Sequence, residues 1–195
     1  MEERKTSGMR GARLRESVVD AAERLLRKGE AGFSMRDLAA EAGVSFATPF
    51  NQFGSKAAIM LELSARRIDQ MERRFLAAPK SGNSAERVLL AVETAAAVML
   101  EEPGVNRAVM GWLGTPGPET GQVLRRSTAL WALALGAGEG LSETRRSAAI
   151  RDLPRQLAFG FRGVLSFWTA GELADDELGP NARDIANGLL RAFTD

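Results

Sequence analysis

Asn51 and Gln52 stand side by side in the run Ser45-Phe46-Ala47-Thr48-Pro49-Phe50-Asn51-Gln52-Phe53. A side-chain amide offers a donor and an acceptor at fixed separation, which suits bidentate bonding to the major-groove edge of adenine. The Thr48 methyl and the Phe46 ring can touch a thymine methyl. Base-edge contact is therefore one chemistry open to this segment, and a solvated polar face is the other. Most catalytic chemistry is closed to the chain, which has no histidine, no cysteine and no tyrosine. Without them there is no disulfide framework, thiol nucleophile, cysteine zinc site or histidine base, although carboxylate chemistry stays open. No enzymatic role and no cofactor or metal are expected.

Base-edge contacts require a short exposed helix held at a fixed angle, and the flanking residues supply one. Ser34 can cap a helix that buries Leu38, Ala39 and Ala42, and Gly43 can end it in a left-handed conformation. Val44 plugs the corner, and Ser45 is expected to cap a second helix running to about Phe53. Two short helices joined at a glycine corner form a helix-turn-helix. A second helix of about nine residues is roughly 13 Å long, close to the groove width of about 12 Å. The spacing turns Ala47, Phe50 and Phe53 inward or to mixed positions and leaves Phe46, Thr48, Asn51 and Gln52 outside.

The rest of the chain reads as helix throughout. Leu14, Val18, Ala21, Ala22, Leu25 and Leu26 form one apolar stripe. Leu61, Ile68, Met71 and Phe75 form a second, and Leu89, Val92, Ala96 and Met99 a third. Breaks are expected at Gly29 and Gly32, at residues 78–84, at Pro103-Gly104 and at Thr115-Pro116-Gly117-Pro118. Further helices are expected at about 119–137, 143–170 and 181–194, the last capped by Asn181 ahead of Asp184, and Pro154 should kink or start the one that contains it. The fold class is all-α: an N-terminal three-helix domain with the helix-turn-helix (1–56, with a basic arm at 1–13), a connecting helix (57–80) and a larger helical domain (81–195).

Net charge hides a polarity. Residues 1–80 hold 15 basic and 11 acidic side chains, whereas residues 81–195 hold 11 and 14. A net +4 half beside a net −3 half suggests that the N-terminal part meets a polyanion. The start of the chain leads into no apolar run, and no uncharged apolar stretch approaches the roughly 18 residues of a membrane span, so a cytoplasmic location is expected.

The string Arg15…Val19-x-Ala21-Ala22-x-x-Leu25-Leu26…Gly32-Phe33-Ser34-Met35-Arg36-Asp37-Leu38-Ala39-x-x-Ala42-Gly43-Val44-Ser45-x-Ala47-Thr48-x-Phe50-x-x-Phe53-x-Ser55-Lys56 resembles the TetR family of transcriptional regulators across residues 13–63. The resemblance implies DNA-binding roles for Arg36, Ser45, Phe46, Thr48, Phe50, Asn51, Gln52 and Lys56, the last as a phosphate contact at a helix N-terminus. Arg4, Lys5, Arg10 and Arg13 would form either a basic arm on the DNA or a solubilising tail. Two departures stand out. Phe50 occupies a position where the family usually has a tyrosine that bonds a phosphate, and Pro49 removes an amide inside the second motif helix.

A helix-turn-helix module reads a short half-site, so double-stranded DNA with a pseudo-palindromic operator and a homodimer are the expected partners. Leu157, Phe161, Val164, Leu165 and Trp168 on one helix and Ile185, Leu189 and Phe193 on another are candidates for the dimer surface. Gly160 and Gly163 would permit close helix approach. The family also implies a small-molecule cavity, with Glu93, Met99, Met110, Trp112, Leu113, Trp131 and Phe159 as candidate lining. That lining favours a hydrophobic effector, with Glu93 offering a partner to a cation. The function implied is a repressor released from its operator by a small hydrophobic effector. The alternative is a helical ligand- or protein-binding module without DNA binding.

Overall fold

The computed structural model describes residues 2–79, 82–113 and 121–194, with no description of the side chains of residues 2–10. Lys80 and Ser81 of the expected boundary, the Thr115–Pro118 breaker and the side chains of Arg4, Lys5 and Arg10 lie outside the described residues. Every regular element described is a helix: α1 (Glu2–Arg27), α2 (Met35–Ala42), α3 (Ala47–Phe53), α4 (Lys56–Ala77), α5 (Ser84–Glu101), α6 (Pro103–Trp112), α7 (Gln122–Leu135), α8 (Arg146–Ala170) and α9 (Asp175–Arg191). None of them is long and apolar enough to cross a membrane.

Local signals account for most boundaries. Ser34 and Asp37 close a capping box at the start of α2, and Gly43 ends that helix at φ 65°. Ser55 accepts from the Ala58 amide to start α4. Asn83 and Glu86 close a second capping box at α5. Pro103 is the first residue of α6, where a missing amide hydrogen costs nothing.

The start of the last helix differs from the sequence expectation. The last helix begins at Asp175 rather than near Asn181, with Asp175, Asp176 and Glu177 in its first turn. Acids there complement the N-terminal dipole, and the Glu177 carboxylate accepts from the Ala174 amide at 2.8 Å. Asn181 lies inside the helix and donates to the Glu177 carbonyl. Helix α8 runs through Pro154, which is buried.

The helices enclose two cores that share α4. Val18, Leu25, Leu38, Phe53, Ile59 and Leu63 belong to the N-terminal core, which also takes in Val105 and Val109 from α6. The C-terminal core is larger and contains Met71 and Phe75 from the far end of α4 with residues of α5, α7, α8 and α9. Between the two lies a polar seam. Arg67 of α4 is buried and pairs with Glu23 of α1 at 2.5 Å and with Glu102, just before α6, at 3.3 Å. Arg67 Nε donates to Asn106 Oδ1 at 2.7 Å, and Asn106 donates to the carbonyls of Val98 and Met99.

Candidate nucleic-acid interface and ligand cavity

The corner between α2 and α3 is fixed by backbone bonds. The Gly43 amide donates to Ala40, and the Val44 amide donates to Ala39 at 3.0 Å. These bonds use carbonyls that the end of α2 would otherwise leave orphaned. The start of α3 is irregular, as expected from Pro49, although the cap expected at Ser45 is not formed. Ser45 is not its side-chain cap: its hydroxyl meets the Thr48 hydroxyl at 2.8 Å, while its carbonyl accepts from the Thr48 amide. The cap position falls on Phe46, which makes no side-chain capping bond. Pro49 explains the arrangement. It stands in the first turn of α3, where an amide hydrogen would have no helical partner, and its ring is buried. The helix spans seven residues, about 10 Å at 1.5 Å per residue, and is shorter than expected.

Several charged side chains hold this unit against α1 and α4. Arg15 donates to the Gln52 carbonyl at 2.7 Å, pairs with Glu62 at 3.0 Å, and lies 4.1 Å from the centre of the Phe53 ring. Arg24 and Lys28 both bind Glu41 on α2, and their hydrogen bonds hold its carboxyl below the usual range. Asp37 is also held low, first by the Ser34 amide and then by the Ser34 hydroxyl.

Of the expected DNA-contacting residues, Arg36, Ser45, Phe46, Phe50 and Asn51 are exposed together around α2 and α3, and Thr48 and Gln52 are half-buried. Phe50, for which the spacing left inward and mixed positions open, is 43% exposed, and Phe46 is 54% exposed. Their rings meet edge to face at 5.4 Å, and the Arg36 guanidinium lies 5.6 Å from the Phe46 ring. Phe53 and Pro49 are the residues of α3 that turn into the core. The result is an aromatic and amide surface with one guanidinium beside it.

Lys56 is placed differently from a free phosphate ligand. Its ammonium donates to the carbonyls of Ala31 and Phe33, both at 2.8 Å, and sits 4.0 Å from the Phe33 ring and 5.0 Å from the Trp112 ring. Partial burial lowers its pKa, an effect that the charge of Asp37 opposes. Two of its three donors thus hold the loop before α2 onto the N-terminus of α4.

In the C-terminal half a cavity of about 410 Å³ opens among α4, α6, α7 and α8. Of the candidate lining residues, Met99, Met110, Leu113, Trp131 and Phe159 line it. Glu93 and Trp112 do not. Glu93 is exposed and paired with Arg183 of α9, because its position on α5 faces away from the cavity. Trp112 is half-buried and packs against the N-terminal core. Arg67 and Arg162 line the cavity without having been anticipated there. Arg162 carries a visible signal in the sequence, as the one charge in the otherwise apolar stretch 157–168.

The surface expected for dimerisation also needs correction. Leu157, Phe161, Val164, Leu165 and Trp168 are buried within the subunit, and Leu189 and Phe193 are half-buried against the same core. Trp168 donates to Asp175 Oδ1 at 2.8 Å and so ties α8 to the start of α9. The large apolar side chains that α8 and α9 leave exposed are Ile150 (44%), Phe159 (52%), Phe167 (55%) and Ile185 (45%). Gly160 lets these helices approach, since a Cβ there would lie 2.6 Å from Ile185 Cγ2, whereas Gly163 has open space beside it.

Comparison with known proteins agrees with this architecture. Residues 18–63 match the family model described as bacterial regulatory proteins, tetR family. The fold is similar to the crystal structure of a TetR transcriptional regulator from Rhodococcus sp. RHA1, with a TM-score of 0.71 and 23% identity, covering 91% of this chain and 96% of that one. It is also similar to a protein of Mesorhizobium loti assigned to the TetR family, with a TM-score of 0.56 and 18% identity over 95% of this chain and 99% of that one. No curated protein matches the chain.

Proposed function

We propose, from the match of residues 18–63 to the tetR family of bacterial regulatory proteins, that the chain is a repressor that binds a pseudo-palindromic operator as a homodimer and leaves it when a small hydrophobic effector fills the C-terminal cavity. The observation that carries the reading is the outward face of α3. Phe46, Phe50 and Asn51 are exposed on a helix whose buried side, Pro49 and Phe53, is locked to α1 and α4. In this reading Asn51 and Gln52 address adenine edges, Phe46 and Phe50 meet thymine methyls, and Arg36 contacts a base or phosphate. Ser45 and Thr48 complete the contact surface through their hydroxyl pair. Lys56 acts mainly by fixing the loop that carries α2, with one donor left for a phosphate.

The exposed face of α8 and α9 is the dimer surface in this reading, with Phe159, Phe167 and Ile185 at its centre. Coupling runs through Arg67, which lines the cavity and also pairs with Glu23 of α1. A ligand that shifts Arg67 therefore acts on the first helix of the DNA-reading unit, and it favours a form whose half-site separation no longer fits the groove repeat of about 34 Å.

A gel-shift titration against the DNA upstream of the chain's own gene tests the proposal. Binding should be sequence-selective and should weaken as salt rises. Asn51→Ala and Gln52→Ala should change base preference at one or two positions per half-site, each by about 1–3 kcal/mol. Binding that is absent, or indifferent to sequence, would refute the reading.

A further inference from the structure

The cavity described above is apolar in the main, yet two guanidinium groups reach it. They differ in what they already hold. Arg67 is committed to Glu23, Glu102 and Asn106. Arg162 has among the described residues one hydrogen-bond partner, the thioether of Met110 at 3.4 Å, and sulfur there is a weak acceptor. A guanidinium does not deprotonate in a protein, so Arg162 keeps a full charge beside apolar walls. Burial holds its pKa below the ordinary arginine value, with no carboxylate raising it again. Arg27 shows the opposite case: its pKa is raised chiefly by its hydrogen bond to Glu102.

A partly desolvated charge is costly until an opposite charge or several strong acceptors meet it. The fold supplies neither to Arg162 among the described residues. The acid that the sequence reading assigned to the cavity, Glu93, is on the surface and paired with Arg183. A cationic ligand would therefore enter a cavity with two guanidinium groups and no free carboxylate described. A neutral apolar ligand would fill the volume and leave Arg162 as it is. A ligand with an anionic head would satisfy the planar donor fork of Arg162 and bury its body against Met99, Leu130, Trp131 and Leu165.

We propose, resting on the effector-cavity reading above, that the ligand is an amphipathic anion, an apolar body bearing a carboxylate, whose head is bound by Arg162. Three probes of equal chain length separate the charge classes: decanoate, decanol and decylamine, each titrated calorimetrically into the full chain. Decanoate should bind roughly tenfold or more tighter than decanol, with decylamine weakest. Arg162→Met keeps the apolar stem and removes the charge, and should bring decanoate down to the decanol affinity while decanol changes little. Arg162→Lys should recover part of the difference.

The wild-type ranking of the three probes needs no variant to fold. Decanol or decylamine binding as tightly as decanoate would overturn the anionic class and leave the cavity reading intact. Unchanged decanoate affinity in Arg162→Met would overturn the role of Arg162 alone. Failure of all three probes to bind would remove the effector cavity itself. Release of operator DNA by decanoate but not by decanol would join this inference to the proposed function.

Discussion

The two ends of α4 enter cores built on different rules. At its N-terminal end, charged and capping groups near the helix-turn-helix are spent on position: Arg15 on Gln52 and Glu62, Arg24 and Lys28 on Glu41, Ser34 on Asp37, Lys56 on two carbonyls. At its C-terminal end, the core leaves a cavity, a guanidinium with no carboxylate beside it among the described residues, and an apolar face on α8 and α9. The first region is satisfied within itself and offers a finished surface. The second keeps an open cavity and an exposed apolar face. The proposed function uses both: a reader whose contacts must not drift, and a half whose free energy depends on what it binds. Arg67 is where the two meet, since it is the buried charge shared by α1, α6 and the cavity wall.

The sharpest way to break this contrast is to treat neighbouring residues of α8 as opposites. Trp168 is fully buried, and Trp168→Ala should cost about 3–5 kcal/mol of stability, as large core truncations do. Urea unfolding monitored by circular dichroism reads that loss. Sedimentation at concentrations where the variant is folded should still show a dimer. Phe167 is its neighbour and is exposed, so Phe167→Asp should leave the fold intact and weaken association by about 2 kcal/mol or more. If Trp168→Ala dissociated the dimer without unfolding the subunit, the assignment of α8 faces would be reversed.

A smaller effect is expected at the glycine corner. Gly43 has φ 65°, and a Cβ added there meets nothing within 4 Å. Gly43→Ala should therefore cost the left-handed backbone penalty alone, about 1–2 kcal/mol, with no clash added. Because the corner aims α3, operator affinity should fall along with thermal stability. Loss of stability with full operator affinity would mean that the corner does not set the aim of the reader.

The same contrast explains what could be read in advance. The helix-turn-helix was legible because its information is local: a serine ahead of an apolar turn, a glycine after it, and a short run to Phe53. The all-α class followed from periodicity for the same reason. Where a partner lay far along the chain, the reading failed in specific ways. Periodicity marks Leu157, Phe161 and Trp168 as one stripe but does not say whether the stripe meets the subunit's own α7 and α9 or a second copy. Glu93 could not be placed without knowing that α9 brings Arg183 beside it. Arg162 looked like an interruption in an apolar run, and only the packing of α6 and α7 around it turns that interruption into the polar group of the cavity. Pro49 was legible for the opposite reason: an irregular start to α3 was expected from it, and the helix begins so that the proline falls in the turn where the missing hydrogen has no helical partner.

The smallest effects divide two serines that look alike in sequence. Both precede short motif helices, and both suggest caps. Ser34 is a working cap: its hydroxyl accepts from the Asp37 amide at 3.2 Å while its own amide donates to Asp37 Oδ2 at 2.8 Å. Ser34→Ala should cost about 1 kcal/mol, the usual loss at an N-cap. The Ser45 hydroxyl holds no amide, and its partner is the Thr48 hydroxyl on a surface open to water. Exchange of that bond for water leaves no buried group unpaired, so Ser45→Ala should change stability by less than about 0.5 kcal/mol. Its effect should fall instead on operator binding, where an altered hydroxyl pair meets the DNA. Chemical denaturation of the two variants side by side, with gel shifts on the same samples, separates these roles. Equal stability losses at the two serines would show that α3 is capped as α2 is, and that the irregular start seen around Pro49 has no energetic consequence.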